Sequence, residues 1–268
     1  MNRRPVALTI AGTDSGGGAG VAADLKTFEA HGVWGTCAVT AVTAQDTTGV
    51  HRVEALSPQM VRAQVEAVAG DIGVDASKTG MLASAELVLA VAAAVRDAAI
   101  RNLVVDPVLA ASDGTTLLDG VEALRDGLLP LATVVTPNLA EAAALAGLPV
   151  EDRAGMEAAA RALLERGASV VMVTGGHLAG DSSPDVVVTA GAPALWLEGP
   201  RLDARHTHGT GCVLSAAVCA ELARGMDPVD ACVAARQFVA RAIASGVPLG
   251  RGTGPVDPGW ERAVSGRP

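Results

Sequence analysis

Short β-branched runs alternate along this chain with alanine-rich segments of helical length, and that alternation restricts the fold more than any other feature. Two parallel neighbouring strands need a crossover of a dozen or more residues between them, and a helix supplies it. The runs at residues 6–11, 36–42, 76–79, 102–106, 133–136 and 169–174 are predicted strands, several apolar on both faces as in a sheet covered from two sides. Weaker runs at 51–55, 185–189 and 194–197 are expected to form a small edge flap. The helices carry readable punctuation: Ser57 and Pro58 as N-cap and first helical position, Ser84 ahead of a helix over 85–98, and stops at Gly32, Gly147, Gly167 and Gly225. The expected fold is therefore α/β, a three-layer α/β/α sandwich around a mainly parallel central sheet. No repeat or linker divides it, so residues 1–268 are read as one domain, with 251–268 packing as irregular coil or fraying.

Composition then removes whole classes of function. Half of the 268 residues are hydrophobic, enough for one large buried core. A formal net charge of −9 offers no broad cationic face to nucleic-acid phosphates or anionic lipid, so any phosphate must be held locally. Aromatic residues make up only 2%, which argues against a base-stacking platform. Cys37, Cys212, Cys219 and Cys232 show neither C-x-x-C nor zinc-ligand spacing and read as free thiols of a reducing compartment. The first apolar run breaks into a glycine-rich loop too early for a signal-peptide core, and none approaches the roughly 18 residues of a membrane span. A cytoplasmic protein with small-molecule partners, and with neither nucleic acid nor membrane, is expected.

In an open parallel sheet, ligands bind at the carboxyl ends of the strands, where loops and helix N-termini converge. The loop AGTDSGGGAG (11–20) fits neither familiar phosphate loop. A dinucleotide fingerprint starting at Gly16 needs glycine at Val21, and a Walker loop starting at Gly12 needs lysine at Gly18. It either admits a ligand close to its backbone or is a turn that only permits tight packing. In HTHGTGC (206–212), a helix opening with Gly209, Thr210 and Gly211 presents unpaired amides and a positive dipole end, an anion hole. Cys212 falls in its first turn, where a thiol pKa tends to fall and the group can act as base or nucleophile; the alternative is a buried filler. Asn138 and Glu141 stand at i, i+3. They either face one cleft, with the carboxylate available to Mg²⁺, or form a capping box. Asp106, at the tip of LVVDP, is a second carboxylate at a strand edge or merely the start of a turn.

These elements sit in a longer ordered series: LTIAGTDSGGGAGVAADLKT (8–27), TAVTAQDTTGV (40–50), KTGML (78–82), VVDPV (104–108), TPNLAEA (136–142), GGH (175–177), HTHGTGC and GTGPV (252–256). Together they resemble the hydroxymethylpyrimidine/phosphomethylpyrimidine kinases of thiamine biosynthesis, in the ribokinase-like superfamily, over nearly the whole chain. The resemblance implies transfer of the ATP γ-phosphoryl group to 4-amino-5-hydroxymethyl-2-methylpyrimidine and then to its monophosphate. It implies Gln45 on the aminopyrimidine edge, with Gly12, Asp24, Met81 and Val108 shaping the pocket. Asp106, Asn138 and Glu141 would organise Mg²⁺ and the triphosphate, Asp106 and Glu141 as the metal's carboxylates, with Thr174 and His208 also on the ATP side. Gly209, Thr210, Gly211 and Cys212 would hold the migrating phosphoryl, Cys212 as candidate base, and a homodimer is expected.

The chain departs from that family's pattern in places. Thr174 stands where a lysine is common, leaving Lys26 and Lys78 as the only lysines. Either an arginine such as Arg205 supplies the missing cation, or transfer is slower. Asp46 replaces the usual asparagine beside Gln45, adding a negative charge near the pocket if it points inward. Arg205-His206 replaces Lys-Asn. His206 and His208 either touch ligand or are loop residues bonded to backbone. Two other readings remain, a pyridoxal kinase on the same scaffold and a pyrimidine-binding protein with little kinase activity. A nicotinamide-dependent oxidoreductase is opposed by the failed fingerprint.

Overall fold

A computed structural model describes residues 3–110 and 114–261. In chain order its elements are β1 (Val6–Ala11), α1 (Gly20–Ala30), β2 (Trp34–Val39), β3 (Ala41–Asp46), β4 (Gly49–Ala55), α2 (Pro58–Asp71), β5 (Ala76–Thr79), β6 (Ala83–Ser84) and α3 (Ala85–Asp97). There follow β7 (Leu103–Val105), β8 (Leu118–Asp119), α4 (Val121–Ala123), β9 (Val134–Val135), α5 (Leu139–Ala146), α6 (Arg153–Glu165), β10 (Val170–Val173), β11 (Asp185–Thr189), β12 (Leu195–Leu197), α7 (Thr210–Ala223) and α8 (Pro228–Ala244). The main sheet runs β12-β11-β10-β9-β7-β5-β1-β2, parallel from β10 to β2, with β11 and β12 antiparallel at one edge.

Period-two alternation divides the strands between two apolar cores. Leu8, Ile10, Leu103, Val105, Val135, Val171 and Val173 pack with Val65 of α2, Val91 of α3, Ala142 of α5 and Met156 of α6. Ala7, Ala76, Val104, Val134, Val170 and Met172 face Phe28 of α1, Val218 of α7 and Ala235 of α8. The expected sandwich is therefore present. Ser57 Oγ accepts from Met60 N–H at 3.2 Å and Ser84 Oγ from Leu87 N–H at 3.3 Å, so both predicted caps form. The four glycine stops all follow helices with positive φ.

Two expectations change. The run at 36–42 is two strands: β2 ends at Val39, and after Thr40, whose Oγ1 donates to Met81 O at 2.6 Å, the chain leaves the sheet to pair as β3 with β4. The three weak runs do not make one flap. Only 51–55, inside β4, belongs to it, whereas β11 and β12 complete the main sheet. The reason is burial on two sides: Val186 and Val188 enter one core and Val187 the other, which a small exposed hairpin cannot provide. Of the C-terminal stretch, 262–268 lies outside the described residues, while Val256 N–H donates to His208 O at 3.1 Å and anchors the preceding loop.

Candidate active site

The carboxyl ends of β1, β5, β7 and β9 form the floor, and the loop after β1 forms one wall. Asp14 determines that loop's shape. Its carboxylate accepts from the amides of Gly16 (2.8 Å), Gly18 (3.0 Å) and Ala19 (2.9 Å), and faces His208 Nε2 at 2.9 Å. The concavity of amides that would suit a phosphate is already filled by an internal anion. Burial opposes the Asp14 charge, yet His208 and the loop amides hold its pKa below the ordinary value. Close packing accounts for the glycines beside it: a Cβ at Gly18 would lie 2.7 Å from His208 Cδ2, and one at Gly20 2.3 Å from Gly12 O.

The flap β3–β4 is zipped to the other side of the same loop. Thr13 N–H donates to Ala41 O (2.9 Å), Thr43 N–H to Thr13 Oγ1 (3.1 Å), and Gln45 N–H to Ser15 Oγ (3.3 Å). The β3–β4 register shifts between Ala44 and Gln45, re-aiming the half-buried Gln45. Its Oε1 takes only a long bond from Thr43 Oγ1, 3.4 Å, and its amide nitrogen has no partner among the described residues. Met81 Sδ lies 3.1 Å from where a Cβ at Gly12 would stand, so these two meet, and half-buried Val108 follows Asp106 at the β7 edge. Asp24 differs from expectation. It has no exposed surface, and its carboxylate takes Thr9 Oγ1 (2.6 Å) and Lys78 Nζ (3.1 Å), so it acts on the cleft through Lys78 rather than by lining a pocket.

Gly209 brings the late turn against this wall. At φ +81 it is left-handed, and a Cβ there would sit 1.8 Å from Gly18 O. Val213 N–H makes the first i→i−4 bond of α7, to Gly209 O at 2.9 Å, so the amides of Gly211 and Cys212 precede the helical ladder. Ser215, in the next turn, donates to Asp106 Oδ2 at 2.8 Å and ties α7 to the end of β7. The half-buried Cys212 thiol lies near the Gly20 amide, yet its pKa rises rather than falls. Burial pushes it up, Lys78 pulls it down, Asp106 and Asp24 add to the rise, and the result is about 12. The expected activation by the helix terminus is overridden by enclosure above carboxylates, and the resting thiol stays protonated.

Asn138 and Glu141 form the capping box: Glu141 N–H donates to Asn138 Oδ1 at 3.0 Å and Asn138 N–H to Glu141 Oε2 at 2.9 Å. The buried Glu141 carboxyl also faces Asp106. Burial and then the Asp106 charge raise its pKa to about 8, against donation from the amides of Asn138 and Leu109. The capping-box reading is the one observed, and the box leaves the Glu141 carboxyl facing the strand-edge aspartate. Thr136 Oγ1, buried on the Asp106 side of the sheet, has no partner among the described residues. Thr174 directly follows β10, with its N–H on Pro137 O at 3.0 Å, and bridges to Asn138.

The remaining polar residues resolve into support. Asp46 turns away into its own hairpin, accepting from Thr48 N–H (2.8 Å) and Thr48 Oγ1 (2.6 Å) and pairing with His51 Nε2 (3.1 Å); Thr48 and then His51 hold its carboxyl far below the ordinary range. His206 Nδ1 accepts from Gly254 N–H at 3.0 Å, the backbone-bonded alternative. Arg205 is exposed, whereas Arg201 grips the loop after β10 through Gly176 O (2.6 Å) and Gly180 O (2.9 Å). Residue-by-residue reading missed Asp14, Lys78, Ser215 and Arg201. Lys78 carried a usable signal: a lysine inside the strand ASKT must be buried, and a buried cation requires buried carboxylates.

Among the described residues no three His, Cys, Asp or Glu side chains gather as a metal cage. Comparison with known proteins agrees with this geometry. The family model described as phosphomethylpyrimidine kinase matches residues 14–257. A hydroxymethylpyrimidine/phosphomethylpyrimidine kinase of Streptomyces coelicolor is 50% identical over 260 residues, 96% of this chain and 95% of its own. A thiamine biosynthesis bifunctional protein of Geobacter sulfurreducens is 44% identical over 93% of this chain and 51% of its own. The Bacillus subtilis pyridoxal kinase, solved as an ADP complex, superposes with a TM-score of 0.91 at 39% identity, covering 97% of this chain and 99% of that one. An amide-lined turn locked to a flap-bearing loop, matched from residue 14 to residue 257, places this chain in the phosphomethylpyrimidine kinase family.

Proposed function

We propose that the protein phosphorylates 4-amino-5-hydroxymethyl-2-methylpyrimidine with ATP and then converts the monophosphate to the diphosphate, in thiamine diphosphate biosynthesis. The observation that carries this reading is the contact of Gly18 with Gly209, which sets the amides of the turn beside the loop that holds Gln45. A carboxamide with a free NH₂ and a lightly used oxygen suits an aminopyrimidine edge, which offers both a donor and an acceptor. Gly12, Met81 and Val108 give that ring apolar contact.

In the transfer, the hydroxymethyl oxygen bonds to the γ-phosphorus as the bond to the β-bridging oxygen breaks, and ADP leaves. Charge spreads over the phosphoryl oxygens, which the Gly211 and Cys212 amides and the opening of α7 stabilise. With its thiol protonated at rest, Cys212 must first pass its proton to water or to a phosphate oxygen of the bound nucleotide before it can accept one from the alcohol. A monophosphate acceptor is already ionised and makes no such demand. Asp106, the neighbouring Glu141 carboxyl and the unpartnered Thr136 hydroxyl suit a hard cation that keeps waters and phosphate oxygens; Asp106 and Glu141 would hold Mg²⁺, whose binding would displace the proton that Glu141 keeps near neutral pH and which would neutralise triphosphate charge. Asn138 would set the Glu141 orientation, with Thr174 and His208 at the nucleotide side.

The cytoplasmic reading is supported by the four unpaired cysteines, and no helix among the described residues is long and apolar enough to cross a membrane. A homodimer is supported by exposed Trp34 on the edge strand and Val42 and Val53 on the flap. Sedimentation tests it, and a monomer at micromolar concentration removes it. The function itself is tested by coupling ADP release to three acceptors: the pyrimidine alcohol, its monophosphate and pyridoxal. Turnover of both pyrimidines is expected. A large preference for pyridoxal would instead favour the activity named for the Bacillus subtilis neighbour, and tight pyrimidine binding without ADP release would favour a binding protein.

A further inference from the structure

The loop between β1 and α1 is held from two opposite directions by alternate residues. Thr13 and Ser15 bond to the flap, through Thr43 and Gln45. Asp14, between them, points the other way, with three amides of its own loop and His208 Nε2 around one carboxylate. His208 in turn is fixed by its backbone, donating to Gly254 O (3.1 Å) and accepting from Val256 N–H (3.1 Å), and it immediately precedes Gly209. At that point the two loops touch backbone to backbone, Gly18 O against Gly209. We propose that Asp14 is a positioning residue for phosphoryl transfer: as an anion built into the glycine-rich loop, it sets through His208 the distance between the acceptor's wall and the amide turn.

The proposal rests on the kinase reading above and extends it to a residue that touches neither substrate. A carboxylate has enough lone pairs to accept all four of these bonds, and both its oxygens are used. An asparagine in its place keeps one acceptor oxygen, loses the charge, and leaves part of the loop's amide set without a partner. The loop then has no fixed anchor to the turn, while its bonds to the flap persist. A displacement near 1 Å between reacting groups costs on the order of 100-fold in rate.

The test uses Asp14→Asn, His208→Ala, His208→Gln and the double variant Asp14→Asn/His208→Ala in the full chain. Measured are kcat for the pyrimidine alcohol, its dissociation constant, and thermal unfolding. Expected is a loss of kcat of about 100-fold in Asp14→Asn, with pyrimidine affinity within about threefold. His208→Gln, which can still donate to Asp14, should retain more activity than His208→Ala. The double variant should be no worse than its more damaged parent, because both changes break one contact. If the two losses multiply, or if kcat and pyrimidine affinity fall together, the proposal is overturned. Should Asp14→Asn not fold, the comparison of His208→Gln with His208→Ala decides alone: equal activity rejects the latch. A wild-type protein that binds no pyrimidine would reject the kinase reading instead, which keeps the two failures distinct.

Discussion

Lys78 Nζ lies 3.1 Å from Asp24 Oδ1 with neither side chain exposed, and Asp106 Oδ2 stands 3.6 Å from the same ammonium. Both charges lie close enough to the turn to act on the Cys212 thiol. Burial opposes the Lys78 charge, but Asp24, with Asp106, outweighs it and keeps the lysine protonated. Removing one partner of such a pair strands the other charge. Lys78→Met should therefore lose about 3–5 kcal/mol in urea unfolding. Adding Asp24→Leu should restore most of that stability without restoring turnover, since Asp106 still lacks its cation. A loss below about 1 kcal/mol in Lys78→Met would show that the pair does not hold the floor together.

Gln45 is the polar side chain on the flap whose amide is left open. Gln45→Ala removes it while sparing the backbone bond to Ser15, so the bulge should survive. Pyrimidine affinity should fall by about 10-fold or more, as expected for one lost hydrogen bond to a buried ring, with ADP affinity unchanged. Calorimetric titration of each ligand separates the two. Unaltered pyrimidine binding would move the acceptor elsewhere.

Cys212 gives a pH-dependent reactivity. A thiol raised to about 12 is protonated across the working range, and each unit of pH below that value lowers its thiolate fraction tenfold. Iodoacetamide should label Cys212 in the ligand-free protein far more slowly than free cysteine, whose pKa is about 8.5, and labelling should still be rising at pH 9 where free cysteine levels off. Peptide mass spectrometry distinguishes it from half-buried Cys37. A plateau near pH 7 would mean that the helix terminus, not burial, governs the thiol. Cys212→Ala should slow phosphorylation of the alcohol more than that of the monophosphate, and equal loss would point to packing.

Much of this was legible in the sequence, for a definable reason. Strands 76–79 and 185–189 and the caps Ser57, Ser84 and Asn138 are read from local chemistry that the fold leaves undisturbed. The flap was blurred because β2 and β3 are consecutive β-prone runs separated only by Thr40, and no local rule marks where a chain leaves a sheet. The i, i+3 spacing of Asn138 and Glu141 left two readings open, and the fold realises the capping box while the same Glu141 carboxyl faces Asp106. Cys212 was misjudged for a different reason. Its own helix predicts a lowered pKa, whereas the burial that raises it, and the smaller push from Asp106 and Asp24, come from distant segments that only the folded sheet brings around it. The missed residues share that trait: Asp14 meets His208 across 194 positions of chain.

Gly209 offers the sharpest contrast between neighbouring positions. Its φ of +81 is strained for any side chain, and an added Cβ would overlap Gly18 O at 1.8 Å, so accommodation requires the two loops to part by more than 1 Å. At Gly211 a Cβ would meet nothing within 4 Å, and the position is helical. Gly211→Ala should thus raise stability by about 0.5–1 kcal/mol through helix propensity. Gly209→Ala should lower stability and cut kcat about 100-fold, because the amides of Gly211 and Cys212 move with the turn while Gln45 stays with the flap. Paired unfolding and turnover measurements on the two variants check this. Equal turnover in Gly209→Ala and wild type would mean that the spacing between Gly18 and Gly209 does not set the geometry of transfer.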